Sequence, residues 1–205
     1  MPPDKKKKSR KKNWNLIYQF IDARSRRQAS TISGASMSQI PNWFERKFEF
    51  SFPADLYPNL CIRLRGTPAR LEEIVRAYPG KQLSRKTGEK WSAQEHAGHL
   101  ADLEPLWMAR VGDYLAGVAE LTTADLSNRK THEAGHNTRR IEDILAEFRA
   151  ARVQLVDRLG GFEADLFDRS IPHPRLKKPF RLVDHLYFVA EHDDHHLAHI
   201  WELIN

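Results

Sequence analysis

The sequence contains one cysteine, Cys61, and no long apolar run. A single cysteine excludes an internal disulfide framework and a zinc site built from cysteines, and it is typical of a reducing compartment. No apolar segment approaches the length of a membrane span, and no charged-then-apolar segment near the start ends in a small-residue cleavage site. We therefore expect a soluble, cytoplasmic protein that does not insert into a membrane.

The chain has few acidic residues at its start, and its positive charge is concentrated there. Residues 1–36 hold ten Lys or Arg and two Asp, a balance of +8, whereas the whole chain carries +6, so the remainder carries −2. Basic blocks such as Lys5–Lys12 are usually disordered. We interpret residues 1–36 as a disordered extension or a misassigned start ahead of Met37, and residues 37–205 as the domain. The alternative is a tail that binds nucleic acid or an anionic membrane, which we do not favour.

Four segments carry apolar residues at helical spacing, and no convincing strand lies between them. The helices are predicted at about Ala54–Tyr78, Ser92–Gly117, Thr138–Leu159 and Phe180–Ile204. Between the later helices, Val118–Asn137 is predicted to be a long surface connection and Phe162–Lys178 an irregular segment. Four amphipathic helices of this length predict an all-α, up-down four-helix bundle.

Two features of the helices depend on specific residues. Ser92 and Glu95 have the spacing of a capping box, in which the serine hydroxyl accepts from the glutamate amide and the carboxylate returns to the serine amide. Thr67 followed by Pro68 has the form of a helix start, so the first helix can be two pieces that meet at Gly66. The sequence thus predicts a defined start for the second helix and a break in the first.

Four of the ten histidines lie between His192 and His199, near the end of the last helix. His192 and His196 are four residues apart, so they project from one helix face about one turn apart. Such a pair can bind one divalent metal ion, and a catalytic site needs a third protein ligand with one position left open. On the second helix, His99 is the candidate and His96 is its rival. Imidazole suits zinc, nickel and iron, so these ligands do not identify the metal.

A second histidine motif, His132-Glu133-Ala134-Gly135-His136, has the HExxH spacing of zinc metalloproteases. That motif needs a stable helix that presents both histidines and the glutamate to the metal. Gly135 weakens a helix here, and the residues before the motif offer no apolar face to bury. We therefore interpret His132 and His136 as loop residues that line a cleft.

The chain resembles the DinB-like (DinB/YfiT) superfamily of four-helix-bundle metalloproteins. The resemblance rests on Trp91-Ser92-x-x-Glu95, which leads to His99-Leu100-Ala101-Asp102, and on the run from Glu191 to Ile200. It covers about residues 43–204, nearly the whole chain without its basic start. Each motif alone is only modestly specific for the family, and the two together are fairly specific.

In that family, one histidine of the second helix and an HxxxH pair of the last helix bind a divalent metal, often nickel or zinc. The resemblance carries these roles to His99, His192 and His196. The family often has glutamine where this chain has His199, which leaves a fourth metal contact or altered water binding open. The resemblance also implies a homodimer, and a metal-dependent hydrolase or thiol S-transferase that acts on a small molecule such as a low-molecular-weight thiol.

A site of three neutral histidines leaves the full charge of a divalent ion in place, which lowers the pKa of bound water or ionises a thiol. Asp102, three residues beyond His99 on a similar helix face, is the candidate proton acceptor. Its alternative roles are a surface salt bridge and a hydrogen bond to a ligand histidine. Asp193 and Asp194 are candidates for orienting the imidazoles. The alternative to an enzyme is a non-catalytic metal-binding or dimerising bundle, in which the ion joins two helices.

Overall fold

The structure is a computed structural model that describes residues 40–205. The predictions for residues 1–36, and the boundary at Met37, fall outside this range. Six α-helices are present in the described part, together with short helical turns and two short strands. The helices are α1 (Tyr57–Val75), α2 (Gly80–Leu83), α3 (Ala93–Ala116), α4 (Arg129–Glu133), α5 (Ile141–Leu159) and α6 (Leu182–Ile204). None of these helices combines the length and the apolar character that crossing a membrane requires.

The four long helices, α1, α3, α5 and α6, form the predicted four-helix bundle, and the all-α fold class is confirmed. α1 and α3 each pack against both α5 and α6. The first two long helices are therefore diagonal to each other, and so are the last two. Buried apolar side chains form two clusters between the helices, one that includes Trp107 and Leu186 and one that includes Leu100 and Phe148. This arrangement places α3 beside α6, the two helices that carry the candidate metal ligands.

Helix α1 is continuous, so the predicted break at Gly66 is wrong. Pro68 has no N–H to donate to the carbonyl of Leu64, which would leave that acceptor without its helical partner. Nη1 of Arg152 donates to this carbonyl at 3.3 Å and satisfies it. The helix therefore continues through the proline. Its predicted first turn, Ala54–Leu56, is a 3₁₀ turn.

The ends of α3 agree with the sequence analysis. The hydroxyl of Ser92 accepts from the amide of Glu95 at 3.1 Å, and the carboxylate of Glu95 accepts from the amide of Ser92 at 2.8 Å, so the capping box is confirmed. Gly117 ends the helix with a φ of +66°, a left-handed conformation that glycine adopts without strain. By contrast, α5 begins at Ile141 rather than at Thr138, because His136–Thr138 forms a separate 3₁₀ turn.

A short β-ribbon begins in the segment predicted to be irregular and ends in the first two residues predicted as the last helix, which starts at Leu182 instead of Phe180. β1 (Ser170–Pro172) pairs antiparallel with β2 (Pro179–Arg181), and Ile171 lies opposite Phe180. Both central side chains are buried. Each strand has three residues, which is too short for an alternating pattern to be recognised in a sequence. The turn between the strands packs His173 against the bundle, where it is buried.

A buried ion cluster joins all four long helices. Arg152 of α5 donates from Nη2 to Glu104 of α3 at 2.6 Å and to Asp193 of α6 at 3.0 Å. Thr67 of α1 donates to Asp193 at 2.8 Å. Burial raises the pKa of Glu104 to about 7, against a partial offset from the Arg152 charge. Asp193 therefore binds Arg152 and Thr67, whereas Asp194 pairs with surface arginines of α1. The prediction that these two aspartates orient imidazoles is wrong.

Candidate metal centre

Three histidines from two helices converge in the interior of the bundle. His99 of α3, and His192 and His196 of α6, each place a ring nitrogen within 4.8 Å of the other two. The Nε2 atoms of His192 and His196 are 3.1 Å apart. The three residues are 3%, 5% and 6% exposed, so bulk water does not separate them. The structure thus brings together the three residues that the sequence analysis names as metal ligands.

The orientation of His99 is set by a residue that the sequence analysis missed. Nδ1 of His99 lies 2.9 Å from Oγ1 of Thr131 in α4. The same hydroxyl donates to Oδ2 of Asp102 at 2.9 Å. Because the hydroxyl proton goes to the carboxylate, the hydroxyl oxygen accepts from Nδ1–H of His99. The lone pair of His99 is therefore on Nε2, and the second nitrogen is free to bind a metal.

The three histidines are neutral at pH 7. Burial lowers the pKa of His99 to about 4, with a partial offset from the nearby Asp102 carboxylate. Burial also lowers the pKa of His192 and His196 well below the usual range, and the neighbouring imidazoles lower it further. Metals bind the neutral form of imidazole, so no proton has to leave these rings when an ion binds at pH 7.

Asp102 lies in a hydrogen-bond network beside the three histidines. Its carboxylate accepts from Thr131 and from Nε2 of His136, which is 2.8 Å away. Burial alone would raise the pKa of Asp102, but the hydrogen bonds from His136 and Thr131 and the charge of Lys130 hold it below its ordinary value. Such a carboxylate is ionised and orients its donors strongly. It reaches His99 through Thr131, and its role as a proton acceptor stays a prediction.

The HExxH spacing does not form a metalloprotease site. α4 ends at Glu133, and Gly135 has a φ of +61°, so His132 and His136 do not share a helix. His136 is buried in the hydrogen-bond network described above. His132 instead places its ring 5.6 Å from the ring of Trp91. The two histidines therefore do not form the helical motif, but the interpretation of both as loop residues is wrong, because His132 lies in α4 and His136 lies in a buried 3₁₀ turn.

His96, the rival ligand, lies outside the group of three. Its Nδ1 is 2.8 Å from Nδ1 of His196. The other ring nitrogen of His196, Nε2, faces His192. A lone pair on Nε2 of His196 requires the proton on Nδ1, which then donates to His96. Burial lowers the pKa of His96 to about 3, so its ring is neutral and can accept the hydrogen bond from His196. His199 stacks on His96, with ring centroids 5.1 Å apart, and its predicted metal contact stays untested.

Two tryptophans from segments outside the long helices flank the histidines. The ring of Trp91 lies 4.8 Å from that of His99 and 6.2 Å from that of His196. The ring of Trp43 lies 5.0 Å from that of His192. Large aromatic rings displace water and lower the local dielectric constant. Neither role was predicted, because tryptophans also fill ordinary cores and only Trp91 belongs to a recognised motif.

Comparisons with known proteins bear on the fold. The sequence profile of the DinB superfamily matches residues 63–200. The solved structure of YfiT from Bacillus subtilis, described as a probable metal-dependent hydrolase with an unusual four-helix bundle topology, matches with a TM-score of 0.68. The two sequences are 23% identical, and the match covers 78% of this chain and 91% of that chain, a likeness that shows the fold. A comparison with curated proteins found no match.

The range matched by the profile includes most of each long helix. It also includes all three histidines that converge between α3 and α6. More than half of the chain is therefore covered by one family description, and this chain belongs to the DinB superfamily.

Proposed function

We propose that this protein is a metal-dependent hydrolase in which His99, His192 and His196 hold one divalent ion. The observation that carries the proposal is the convergence of three neutral, buried imidazoles within 4.8 Å of one another. YfiT, which shares the fold, is described as a probable metal-dependent hydrolase, and this supports the same reaction class here. The proposed substrate is a small molecule with a hydrolysable bond.

The three residues fit a divalent ion of the zinc, nickel or iron group. Imidazole nitrogens bind zinc at about 2.0–2.1 Å, so two ligands of a tetrahedral ion lie about 3.4 Å apart. The Nε2 atoms of His192 and His196 are 3.1 Å apart, close to that separation. Three protein ligands also leave a fourth position for water or substrate, as hydrolysis requires.

A divalent ion in this position would supply Lewis acidity and lower the pKa of a water molecule towards about 7. The protein's own residues prepare the site for this chemistry. Thr131 keeps the proton on Nδ1 of His99, and Asp102 holds the Thr131 hydroxyl in the orientation that does so. Trp43 and Trp91 restrict water around the histidines, which strengthens electrostatic interactions there. In this proposal Asp102 positions His99 through Thr131, and its carboxylate would be the acceptor for a proton released from the activated water.

Metal analysis and activity of two neighbouring variants test the proposal. Protein purified without an affinity tag should contain a divalent ion and should hydrolyse a member of an ester screen. H196A should lose both the ion and turnover while its circular dichroism stays helical. H195A changes the adjacent histidine, which is outside the group of three, and should keep both. Full metal content in H196A, or equal losses in H195A, would contradict the proposal.

A thiol-transfer screen on the same protein separates the two reaction types implied by the family resemblance. Both types need the same three ligands, because an ionised thiol and an activated water molecule are alternative nucleophiles. Bound metal without turnover in either screen, combined with a large loss of thermal stability on chelation, would indicate the non-catalytic alternative. The homodimer stays a prediction, which sedimentation velocity tests.

A further inference from the structure

A second cluster of buried basic side chains lies where the β-ribbon turn meets α3. Arg110 of α3 and His173 of the turn are each 2% exposed, and Nη1 of Arg110 is 3.3 Å from Nε2 of His173. Arg110 also donates from Nε to the carbonyl of Thr122 at 2.9 Å. Neither contact supplies the negative charge that normally accompanies a buried guanidinium.

The ring of His173 has too few lone pairs for its neighbours. Its Nδ1 accepts from the amides of Arg175 and Leu176 at 3.1 and 3.2 Å, so the proton of the neutral ring is on Nε2. Burial lowers the pKa of His173 to about 3, which keeps the ring neutral. Nε2–H of His173 and Nη1–H of Arg110 therefore face each other as two donors, 3.3 Å apart. Two donors in this arrangement need a shared acceptor.

A third donor belongs to the same corner of the molecule. Nη2 of Arg175 is buried and has no hydrogen-bond partner within residues 40–205. The guanidinium of Arg175 lies 5.7 Å from the ring of Phe188, and the ring of His173 lies 5.8 Å from that same ring. Burial lowers the pKa of Arg110 to about 10, Tyr114 and the Asp113 charge oppose this in part, and the charge of Arg175 lowers it further. Arg110 forms no salt bridge within residues 40–205, so the Asp113 carboxylate does not contact the guanidinium. One buried cation, one partly buried cation and a neutral N–H thus share one region.

We propose that Arg110, His173 and Arg175 form a binding site for an oxyanion, either a carboxylate or a phosphate group. The oxygen atoms of such a group can accept from all three donors, and guanidinium groups recognise carboxylate and phosphate through charge-assisted hydrogen bonds. The anion also supplies the charge that compensates two partly or fully buried guanidinium groups. The hydrogen-bonding deficit and the charge deficit of this corner are therefore met by one ligand.

This site is separate from the three-histidine centre and does not depend on its proposed function. The ring of Phe188 contacts His173 and also contacts Trp43, with centroids 5.8 and 5.0 Å away. Trp43 in turn contacts His192 at 5.0 Å. The ring of Trp107 lies 5.6 Å from the guanidinium of Arg110 and 5.8 Å from the ring of His192, so a single aromatic ring separates the two sites on this side. Residues 1–39 contain ten basic and two acidic residues, which makes them a poor source of the anion. The ligand is therefore expected to be a separate molecule.

Thermal unfolding of the full chain with added anions tests the proposal. Sodium phosphate and sodium acetate are titrated at constant ionic strength, with NaCl as the balancing salt, so general screening is equal in every sample. A ligand that binds the folded protein raises the Tm in a concentration-dependent way that fits a single binding site. A response to phosphate alone identifies a phosphate group as the ligand, and a response to acetate alone identifies a carboxylate.

R175M is the deciding variant, because it removes one donor at a half-exposed position and leaves the core intact. We expect the apparent dissociation constant to rise about tenfold or more, the effect of losing one charge-assisted hydrogen bond. R158M changes an exposed arginine of α5 and should bind like the unmodified protein. No specific response to either anion, or equal binding by R175M, would overturn the proposal and indicate a buried water molecule as the shared acceptor.

Discussion

The imidazole ring of His136 lies directly against the backbone of Gly98, with no room for a side chain between them. A Cβ at residue 98 would be 2.3 Å from Cγ and 2.4 Å from Nδ1 of that ring. The same ring bonds through Nε2 to Asp102, 2.8 Å away. The glycine therefore lets a residue from outside the bundle reach the carboxylate that supports His99.

Replacement of Gly98 by alanine should disturb this contact. G98A should lower the free energy of unfolding by about 1–3 kcal/mol, the usual effect of overpacking, because His136 cannot move away without losing Asp102. G112A is the matched control on α3, since its Cβ would be 3.8 Å from the nearest atom. It should leave stability unchanged or raise it by up to about 1 kcal/mol. Urea denaturation measures both values, and equal stability of the two variants would contradict the prediction.

D102N tests both roles proposed for Asp102. The amide oxygen still accepts from Thr131, but the negative charge is lost, so metal affinity should fall about 10- to 100-fold. Metal-saturated D102N should also lose turnover by about 10²- to 10⁴-fold, because the proton acceptor is missing. Unchanged turnover at metal saturation would remove the proton-acceptor role and leave the positioning role intact. D194N, at a carboxylate that pairs with surface arginines, is the control and should match the unmodified protein.

H96A should weaken metal binding although His96 is outside the group of three. Its Nδ1 is the hydrogen-bond partner of Nδ1 of His196, so its loss frees that ring to rotate. We expect a loss of metal affinity of about 10- to 100-fold, measured by competition with a chelating dye. H199A removes only the ring that stacks on His96 and should keep the affinity of the unmodified protein. A greater loss in H199A than in H96A would show that His199 contacts the metal.

R152M should be among the most destabilising single substitutions in the bundle. It leaves Glu104 and Asp193 buried without their cation, which should lower the free energy of unfolding by about 3–5 kcal/mol. R149M, on the same helix, breaks only the salt bridge with Glu72. The side chains of Arg149 and Glu72 are 42% and 43% exposed. That change should lower stability by about 0–1 kcal/mol. Similar denaturation midpoints and slopes for the two variants would show that the buried cluster does not stabilise the fold.

The metal-free protein should lose stability as the pH falls from neutrality. Burial lowers the pKa of eight histidines in the described part of the chain below 6.5. Between pH 6.5 and the lowered pKa values, the unfolded chain therefore binds more protons than the folded chain. The stability that the neutral histidines contribute above pH 6.5 is lost as the pH falls. Glu104 acts in the opposite direction, because its raised pKa of about 7 favours folding at low pH.

One carboxyl group opposes eight imidazoles, so the histidines should dominate this dependence. The free energy of unfolding in urea should be lower at about pH 5.5 than at about pH 7.5. E104Q removes the opposing contribution and should steepen the dependence. Equal or greater stability at the acidic pH would show that the histidines do not stay neutral in the folded protein.

Most features that depend only on neighbouring residues were predicted correctly, and the break at Gly66 is the exception. The capping box of Ser92 and Glu95 and the helix end at Gly117 need only a few adjacent positions. The four-residue spacing of His192 and His196 defines their common helix face before any tertiary contact is known. Long apolar periodicity likewise locates the four bundle helices to within a few residues of their observed ends.

Most features set by tertiary contacts could not be predicted, and the approach of His99 to the last-helix pair was expected only from the family resemblance. Thr131 lies in a five-residue helix with weak periodicity, and no local pattern relates it to His99. Arg152 is one of several arginines on α5, where Arg149 is half-exposed and Arg158 is exposed. Whether such a charge is buried depends on partners from other helices, which an amphipathic pattern does not contain. The order of the helices around the bundle could not be predicted either, because each long helix has a similar apolar face.

The residues that cover and orient the three histidines come mostly from segments outside the long helices, as Trp43, Trp91, Thr131 and His136 show. The ion cluster around Arg152, in contrast, is made only by the long helices themselves. Substitutions in the outer segments can therefore change which molecules enter without weakening the scaffold. We expect relatives with new specificities to have diverged mainly in those segments and to have kept the interior of the bundle.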